Sequence, residues 1–304
     1  MDGSAFAHTE AQKNWDRARQ GAFLEEISAV FTRRSIDLLP FEEVRQRLRL
    51  AQKNYRGLQD IPLDRIRGSV GRYRDFTLTF MPRNPSMGER WRRVSTIAQD
   101  RGAPPIEVYQ VGEVYFVLDG NHRVSVARQD NIETIQAHVW EFPTPVGGLS
   151  ADANMDEVFI KQEYTEFLEH TRLDQLRPSQ EIVFTTPGRY RELSYQIALY
   201  QQVLEQIDGE PCSWQDAVTA WYDMIYEPSI QIITEQGVLE KFPDRTEADL
   251  FAWVWRHHKD MEREGIKSLA DAAEDIGRKA EETVLSRVWQ SVMRFFRKEP
   301  GEVG

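Results

Sequence analysis

The stretch Val114-Tyr115-Phe116-Val117-Leu118-Asp119-Gly120-Asn121-His122-Arg123-Val124-Ser125-Val126-Ala127-Arg128 decides the fold. Its first five residues are β-branched, aromatic or leucine, which is the composition and length of a buried strand. Asp119-Gly120 stops that run, and Val124 and Ala127, three apart with Arg128 after them, predict a helix beyond it. A strand, a turn and a helix in this order put polar groups at a helix N-terminus. There the first backbone N–H groups lack partners within the helix, the dipole is positive, and a glycine admits a close neighbour. The stretch is therefore a candidate anion or phosphate site, with Arg123 as a forked cation.

Upstream, residues 106–111 alternate apolar and polar as a half-buried strand, and Gly112-Glu113 supplies a two-residue turn into residues 114–118, which predicts a hairpin. Gly102-Ala103-Pro104-Pro105 breaks the chain after a predicted helix at 90–99, and Pro82, Asn84 and Pro85 predict a loop over 80–87. Residues 61–66 read as a short edge strand because Pro62 removes one ladder donor, and Gly68 and Gly71 read as a tight turn. Downstream, residues 135–140 alternate as a further strand. At the start of the chain, residues 1–14 read as a frayed polar tail. Phe23, Ile27, Val30 and Phe31 predict a helix over 14–34, and Phe41, Val44 and Leu48 a second one after Pro40. Arg45, Arg47, Arg49, Lys53 and Arg56 fall on that second helix, facing solvent or a nucleic acid.

The 304 residues, 40% of them hydrophobic, suffice for two domains with packed cores. No apolar run approaches the roughly 20 residues of a membrane span, and Met1-Asp2-Gly3-Ser4 lacks the start of a signal peptide, so a cytoplasmic protein without a transmembrane segment is expected. A net charge of −11 argues against general affinity for nucleic acid. Within residues 65–94, however, eight arginines face only Asp75 and Glu89. This basic segment reads either as a solvated face or as a wall of guanidiniums turned toward a phosphorylated ligand. Cys212 has no second cysteine and no activating base beside it.

The 61–66 strand, the following helix, the hairpin with its Asp119-Gly120-Asn121-His122-Arg123 turn and the 135–140 strand together resemble the ParB/sulfiredoxin-like fold over about residues 60–143. In that superfamily the Gly-x-His-Arg or Gly-Glu-Arg-Arg turn binds nucleotide phosphates. The resemblance thus implies phosphate binding by Gly120, Asn121, His122 and Arg123. Sulfiredoxins carry a cysteine where this chain has Asn121, so their thiol chemistry is not implied. The Glu-Arg-Arg pair of partitioning ParB proteins is absent, and no helix-turn-helix unit follows. The turn is closest to the Asp-Gly-His-His-Arg of small ParB-like serine kinases, departing from it only at Asn121.

The second half reads as mostly helical, with helices at 154–170 and 191–206 and a short strand at 181–185. Ser213 and Asp216 form a capping box for a helix at 216–226, and Pro228 opens the next. Thr246 and Asp249 cap another, on which Leu250, Val254 and His258 align. Residues 213–226 and 241–250 resemble a bacterial domain of unknown function often found beside a ParB-like domain. Residues 268–298 read as an amphipathic helix with Trp289, Val292 and Phe295 on one stripe. His258 and Glu262 have metal-ligand spacing, but two such residues on one helix are common by chance, and no metal site is assigned. No P-loop, nucleophile-elbow or His-Glu-x-x-His motif occurs.

The expected protein is α+β. It has an N-terminal helical segment (1–58), a mixed-sheet ParB/sulfiredoxin-like domain (59–145), a helical domain (146–265) and a C-terminal amphipathic helix and tail (266–304). Asp119 and His122 are the candidate catalytic groups, Asp119 as proton acceptor or Mg²⁺ ligand, with the capping of the following helix as its structural role. Gly120, Asn121, His122 and Arg123 are the phosphate-binding candidates, with Arg72 and Arg74 closing over them. The ligand is a nucleotide, with ATP, ADP and CTP left open, and Mg²⁺ as its companion. Two readings stand. One is a phosphotransferase or nucleotide hydrolase. The other is a non-catalytic regulatory or scaffolding module that binds nucleotide or nucleic-acid phosphate and presents its helical half to a protein partner.

Overall fold

The computed structural model of the chain describes residues 3–32, 35–144, 146–235 and 237–263. The fold is α+β, and the chain divides into two compact units, Met1–Phe159 and Ile160–Gly304. In chain order the first unit contains α1 (Gly3–Thr32), β1 (Leu39–Pro40), α2 (Phe41–Arg47), β2 (Asn54–Pro62), β3 (Ile66–Ser69), α3 (Gly88–Arg101), β4 (Ile106–Val111), β5 (Val114–Asp119), α4 (Asn121–Gln129) and β6 (Thr134–Glu141). The six strands form one mixed sheet in the order β1-β3-β5-β4-β6-β2. β4 and β5 are antiparallel with Val111 opposite Val114, so Gly112-Glu113 is the two-residue hairpin turn its sequence predicts. β3 lies parallel to β5, and β6 parallel to β4.

β5 is buried on both faces, which is why Val114–Val117 reads as an unbroken apolar run. Tyr115 and Val117 join one core with Trp91, Ile106, Val108, Val124, Ala137 and Val139. Val114 and Phe116 join another, on Phe41, Val44, Val111, Phe142 and Leu149. Burial ends at Leu118 and Asp119, so the exit of β5 carries polar groups to the surface.

Several expectations are corrected here. The expected tail at 1–14 is helical from Gly3 onward. The buried stripe of α1 is Ala11, Trp15, Ala18 and Ala22. Phe23 and Ile27 stand 62% and 41% exposed. Small residues face inward because α1 packs closely on α3, where Trp15 meets Trp91 with ring centroids 5.8 Å apart. α2 ends at Arg47, so Lys53 and Arg56 lie outside it, before and on β2. β2 begins seven residues earlier than the expected 61–66 strand, and a 3₁₀ turn at Leu63–Arg65 separates it from β3. Its burial pattern explains the miss, since as an edge strand it is exposed on both faces over most of its length and carries no apolar alternation. Gly68 is in β3, not in a turn; a Cβ there would lie 2.3 Å from the Phe116 ring and 2.5 Å from the Leu39 carbonyl oxygen. Because β1 pairs with β3, and β2 spans 54–62, the sheet draws on residues on both sides of position 58.

The second unit is helical, with α5 (Met155–Thr171) entering it and α6 (Leu173–Leu176), α7 (Arg189–Asp208), α8 (Trp214–Trp221), α9 (Glu227–Glu235) and α10 (Glu247–Arg263) following. Its core gathers Leu173, Tyr190, Leu193, Ile197, Trp221, Tyr226 and Phe251. Ser213 caps α8 by accepting from the Asp216 backbone N–H at 3.1 Å. Thr246 and Asp249 cap α10 reciprocally. α8 does not run on regularly to Tyr226, since a π-helical turn at Tyr222–Tyr226 joins it to α9, where Pro228 is the second residue. The strand expected at 181–185 is not a strand. The segment alternates in burial, Ile182 and Phe184 inward and Val183 outward, but its carbonyls are taken by side chains, Ile182 by the Tyr190 hydroxyl at 2.7 Å and Val183 by the Thr246 hydroxyl at 2.6 Å. Period-two burial here marks an extended segment on a helical core. Among the described residues no helix is long and apolar enough to cross a membrane. The 268–298 helix expected from sequence lies outside the described residues.

Candidate phosphate-binding site

The turn between β5 and α4 is organised by Gly120, which has φ +117° and ψ +17°. A Cβ there would lie 2.5 Å from Ile106 Cγ2 on the neighbouring strand, so both the left-handed backbone and the close packing require glycine. No side chain caps α4. The Val124 N–H returns to the Gly120 carbonyl at 3.0 Å, and the N–H groups of Asn121, His122 and Arg123 before it have no acceptor within the helix itself. Asp119 does not fill the capping role open to it. It forms an ion pair with Arg123, its side chain 64% exposed and that of Arg123 only 16%. Arg123 also donates to the carbonyls of Pro105 at 2.6 Å and Pro104 at 3.0 Å. Its guanidinium thereby ties the start of α4 to the loop leading into β4.

His122 is 5% exposed, with its ring edge-on to Phe76 at 5.4 Å. Its Nε2 lies 3.3 Å from an Arg72 guanidinium nitrogen. Guanidinium only donates, so Nε2 is the acceptor and the ring proton of the neutral imidazole sits on Nδ1. Nδ1 is buried and has no partner among the described residues. Burial first, and then the positive charges of Arg90 and Arg72, push the His122 pKa down to about 4. The neighbouring Asn121 is 9% exposed and its Oδ1 is likewise buried without a partner. The turn thus combines an uncapped helix start, a buried imidazole N–H without a partner among the described residues, and the nearby cations Arg72 and Arg90.

Of the two upstream arginines assigned from sequence, the structure brings Arg72 to His122, with Asp75 3.5 Å from its Nε. Arg74 stacks over Tyr73 at 5.6 Å and lines a different cavity, of about 960 Å³, together with Arg67 and Arg83. The rest of the basic segment is dispersed. Arg65 pairs with Glu113 at 2.6 Å, and Arg83 pairs with Asp37 at 2.7 Å. Arg90, on the first turn of α3, was legible in the sequence only as one member of that segment, since its approach to His122 depends on how α3 packs beside α4. Trp91 seals that packing, its indole N–H donating to the buried Ser125 hydroxyl at 2.9 Å. Arg128, at the far end of α4, donates to the carbonyls of Leu63, Ile66 and Leu78, and burial pushes its pKa down to about 10.

No family model matches the chain. No curated protein matches it. Among solved structures, the chain is similar to two of a pNOB8-like ParB N-domain, one of them its C2221 form. Both are 15% identical over 80% of this chain, covering 98% and 91% of theirs, with TM-scores of 0.21 and 0.22.

Proposed function

We propose that the first unit binds the phosphate groups of a nucleotide at the start of α4. The observation that carries this reading is His122, a neutral imidazole whose buried Nδ1–H lacks an acceptor among the described residues, on the first turn of a helix that no side chain caps. A buried donor without a partner is costly, and a phosphate oxygen is an acceptor of the right kind. Arg72 and Arg90 supply positive charge, and Gly120 and Asn121 shape the turn. Arg123 acts as a positioning residue through Asp119, Pro104 and Pro105. The Asp-Gly-Asn-His-Arg motif and its resemblance to ParB/sulfiredoxin-like turns support a nucleotide over a simple anion. Mg²⁺ would arrive on the nucleotide's phosphates, with Asp119 as the carboxylate the turn itself offers.

Calorimetric titration of ATP, ADP and CTP in the presence of Mg²⁺ tests this. One of them binds saturably, and His122→Ala or Arg72→Gln weakens it roughly tenfold or more, the range of a lost charge-assisted hydrogen bond. Failure of every nucleotide to bind overturns the reading. A regulatory role, binding without turnover, is favoured by one observation: the Asp119 carboxylate, which a phosphotransferase or nucleotide hydrolase would use, is held by Arg123. A time-dependent conversion of nucleotide that Asp119→Asn abolishes while binding survives decides for the enzyme. In the regulatory reading the helical unit presents the surface for a protein partner, and nucleic-acid phosphate is the competing ligand. Steep salt dependence of an oligonucleotide titration identifies the latter.

A further inference from the structure

A second cluster of arginines lies within the helical unit. A cavity of about 230 Å³ opens between the starts of α7 and α10, lined by Arg189, Arg245, Arg256, Trp253, Phe242 and Asp249 among others. The two carboxylates beside it do not neutralise the three guanidiniums. Glu192 accepts from both Arg189 and Arg256 through the same oxygen, at 2.7 Å each. Asp249 is committed to the cap, accepting from the Thr246 N–H at 3.1 Å and from the Thr185 hydroxyl at 2.7 Å. Among the described residues the Arg245 guanidinium has no ion-pair partner and makes a single hydrogen bond, to the Thr185 hydroxyl at 2.8 Å. Each guanidinium carries five N–H groups. Among the described residues Arg189 uses one of them on Glu192 and one on the Thr186 hydroxyl, while Arg245 and Arg256 use one each.

We propose that this cavity is a binding site for a small organic phosphate, its phosphoryl oxygens on the remaining N–H groups of Arg189, Arg245 and Arg256 and its organic part against Trp253 and Phe242. Three forked cations around one opening suit a tetrahedral dianion with several acceptor oxygens better than a planar carboxylate, which one fork satisfies. Trp253 is 39% exposed and Phe242 half-buried, so one wall is aromatic. The volume lies below the roughly 300–1,000 Å³ of sites for drug-sized ligands, which sets the occupant as a compact monoester.

Phenyl phosphate and inorganic phosphate, titrated calorimetrically into the full chain and into its His122→Ala form, are the probes. Both bind in the His122→Ala background, phenyl phosphate the tighter. There Arg245→Gln weakens both about tenfold or more, and Trp253→Ala weakens phenyl phosphate while sparing inorganic phosphate. Arg245 is exposed and its side chain makes one hydrogen bond among the described residues, so its variant keeps the parent's melting temperature. Absence of saturable binding of phenyl phosphate, or binding lost through His122→Ala alone and indifferent to Arg245→Gln, overturns the assignment. A phosphoseryl peptide that binds ten times more tightly than phenyl phosphate would replace the small ester by a phosphorylated protein as occupant.

Discussion

His122 is a base held without its proton, and the stability of the first unit depends on that. Its folded pKa, about 4, lies below the ordinary 6.5. Above pH 6.5 the ring is neutral folded and unfolded, and the protein keeps its full stability. As pH falls from 6.5 to 4 the unfolded chain takes up a proton that the folded chain refuses, and stability drops by about 3 kcal/mol in all. Urea unfolding at pH 7.5 and pH 4.5 checks this: wild type loses more stability between the two than His122→Phe, whose ring has no nitrogen to protonate. On the proposed function, phosphate added to the protein raises the His122 pKa, visible as a shift of its imidazole NMR titration. Gly120→Ala combines a left-handed backbone with a clash on Ile106, and lowers stability by about 2 kcal/mol or more. The glycine's presence in a turn was legible from Asp119-Gly120. Its second reason, the closeness of Ile106, was not, because that contact is made across the hairpin.

At the scale of elements, α1 shows how apolar residues mislead. The large side chains Phe23 and Ile27 have helical spacing yet face outward, while the inward face is alanine and one tryptophan. Helix contact is set by how closely two backbones approach, and α3, with Trp91 projecting, leaves room for small residues. Ala18→Leu therefore destabilises by about 1–3 kcal/mol through overpacking, whereas Phe23→Ser stays within about 0.5 kcal/mol. Thermal melts of the two variants reverse in order if the larger side chains are the buried ones. α10 is the contrasting case, where sequence and structure agree. Thr246 and Asp249 cap it as their spacing predicts, and Asp249 additionally holds Thr185. Asp249→Ala lowers stability by about 1–2 kcal/mol, and hydrogen exchange quickens in residues 181–185 as well as in the first turn of α10. Exchange confined to α10 would show that the extended segment is held by other contacts.

At the scale of the whole molecule, two cores serve the two faces of the sheet and a third, sharing no residue with them, serves the helices. Phe116→Ala empties a fully buried site in the sheet unit and destabilises it by about 3–5 kcal/mol. Its effect on hydrogen-exchange protection falls on β3, β4 and β5, and protection of Trp221 and its helical neighbours is the control. The charge of −11 is unevenly distributed, with eight arginines against two carboxylates within residues 65–94. The basic segment at 65–94 is not a continuous wall: Arg65 and Arg83 pair with Glu113 and Asp37, while Arg72, paired with Asp75, and Arg90 act on His122. By itself, the order of amino acids determined the local units: the 106–118 hairpin, the strand, glycine turn and helix through Arg128, and the capped helices of the second half. Those depend on periodicity and turn chemistry within a few residues. Only the tertiary structure decided that Arg123 serves Asp119 and two carbonyls, that Arg72 and not Arg74 meets His122, that β2 pairs along the open edge, and that three distant arginines share a cavity with Trp253. Such outcomes depend on which elements pack side by side, and a guanidinium takes whichever anion or carbonyl that packing brings within its reach.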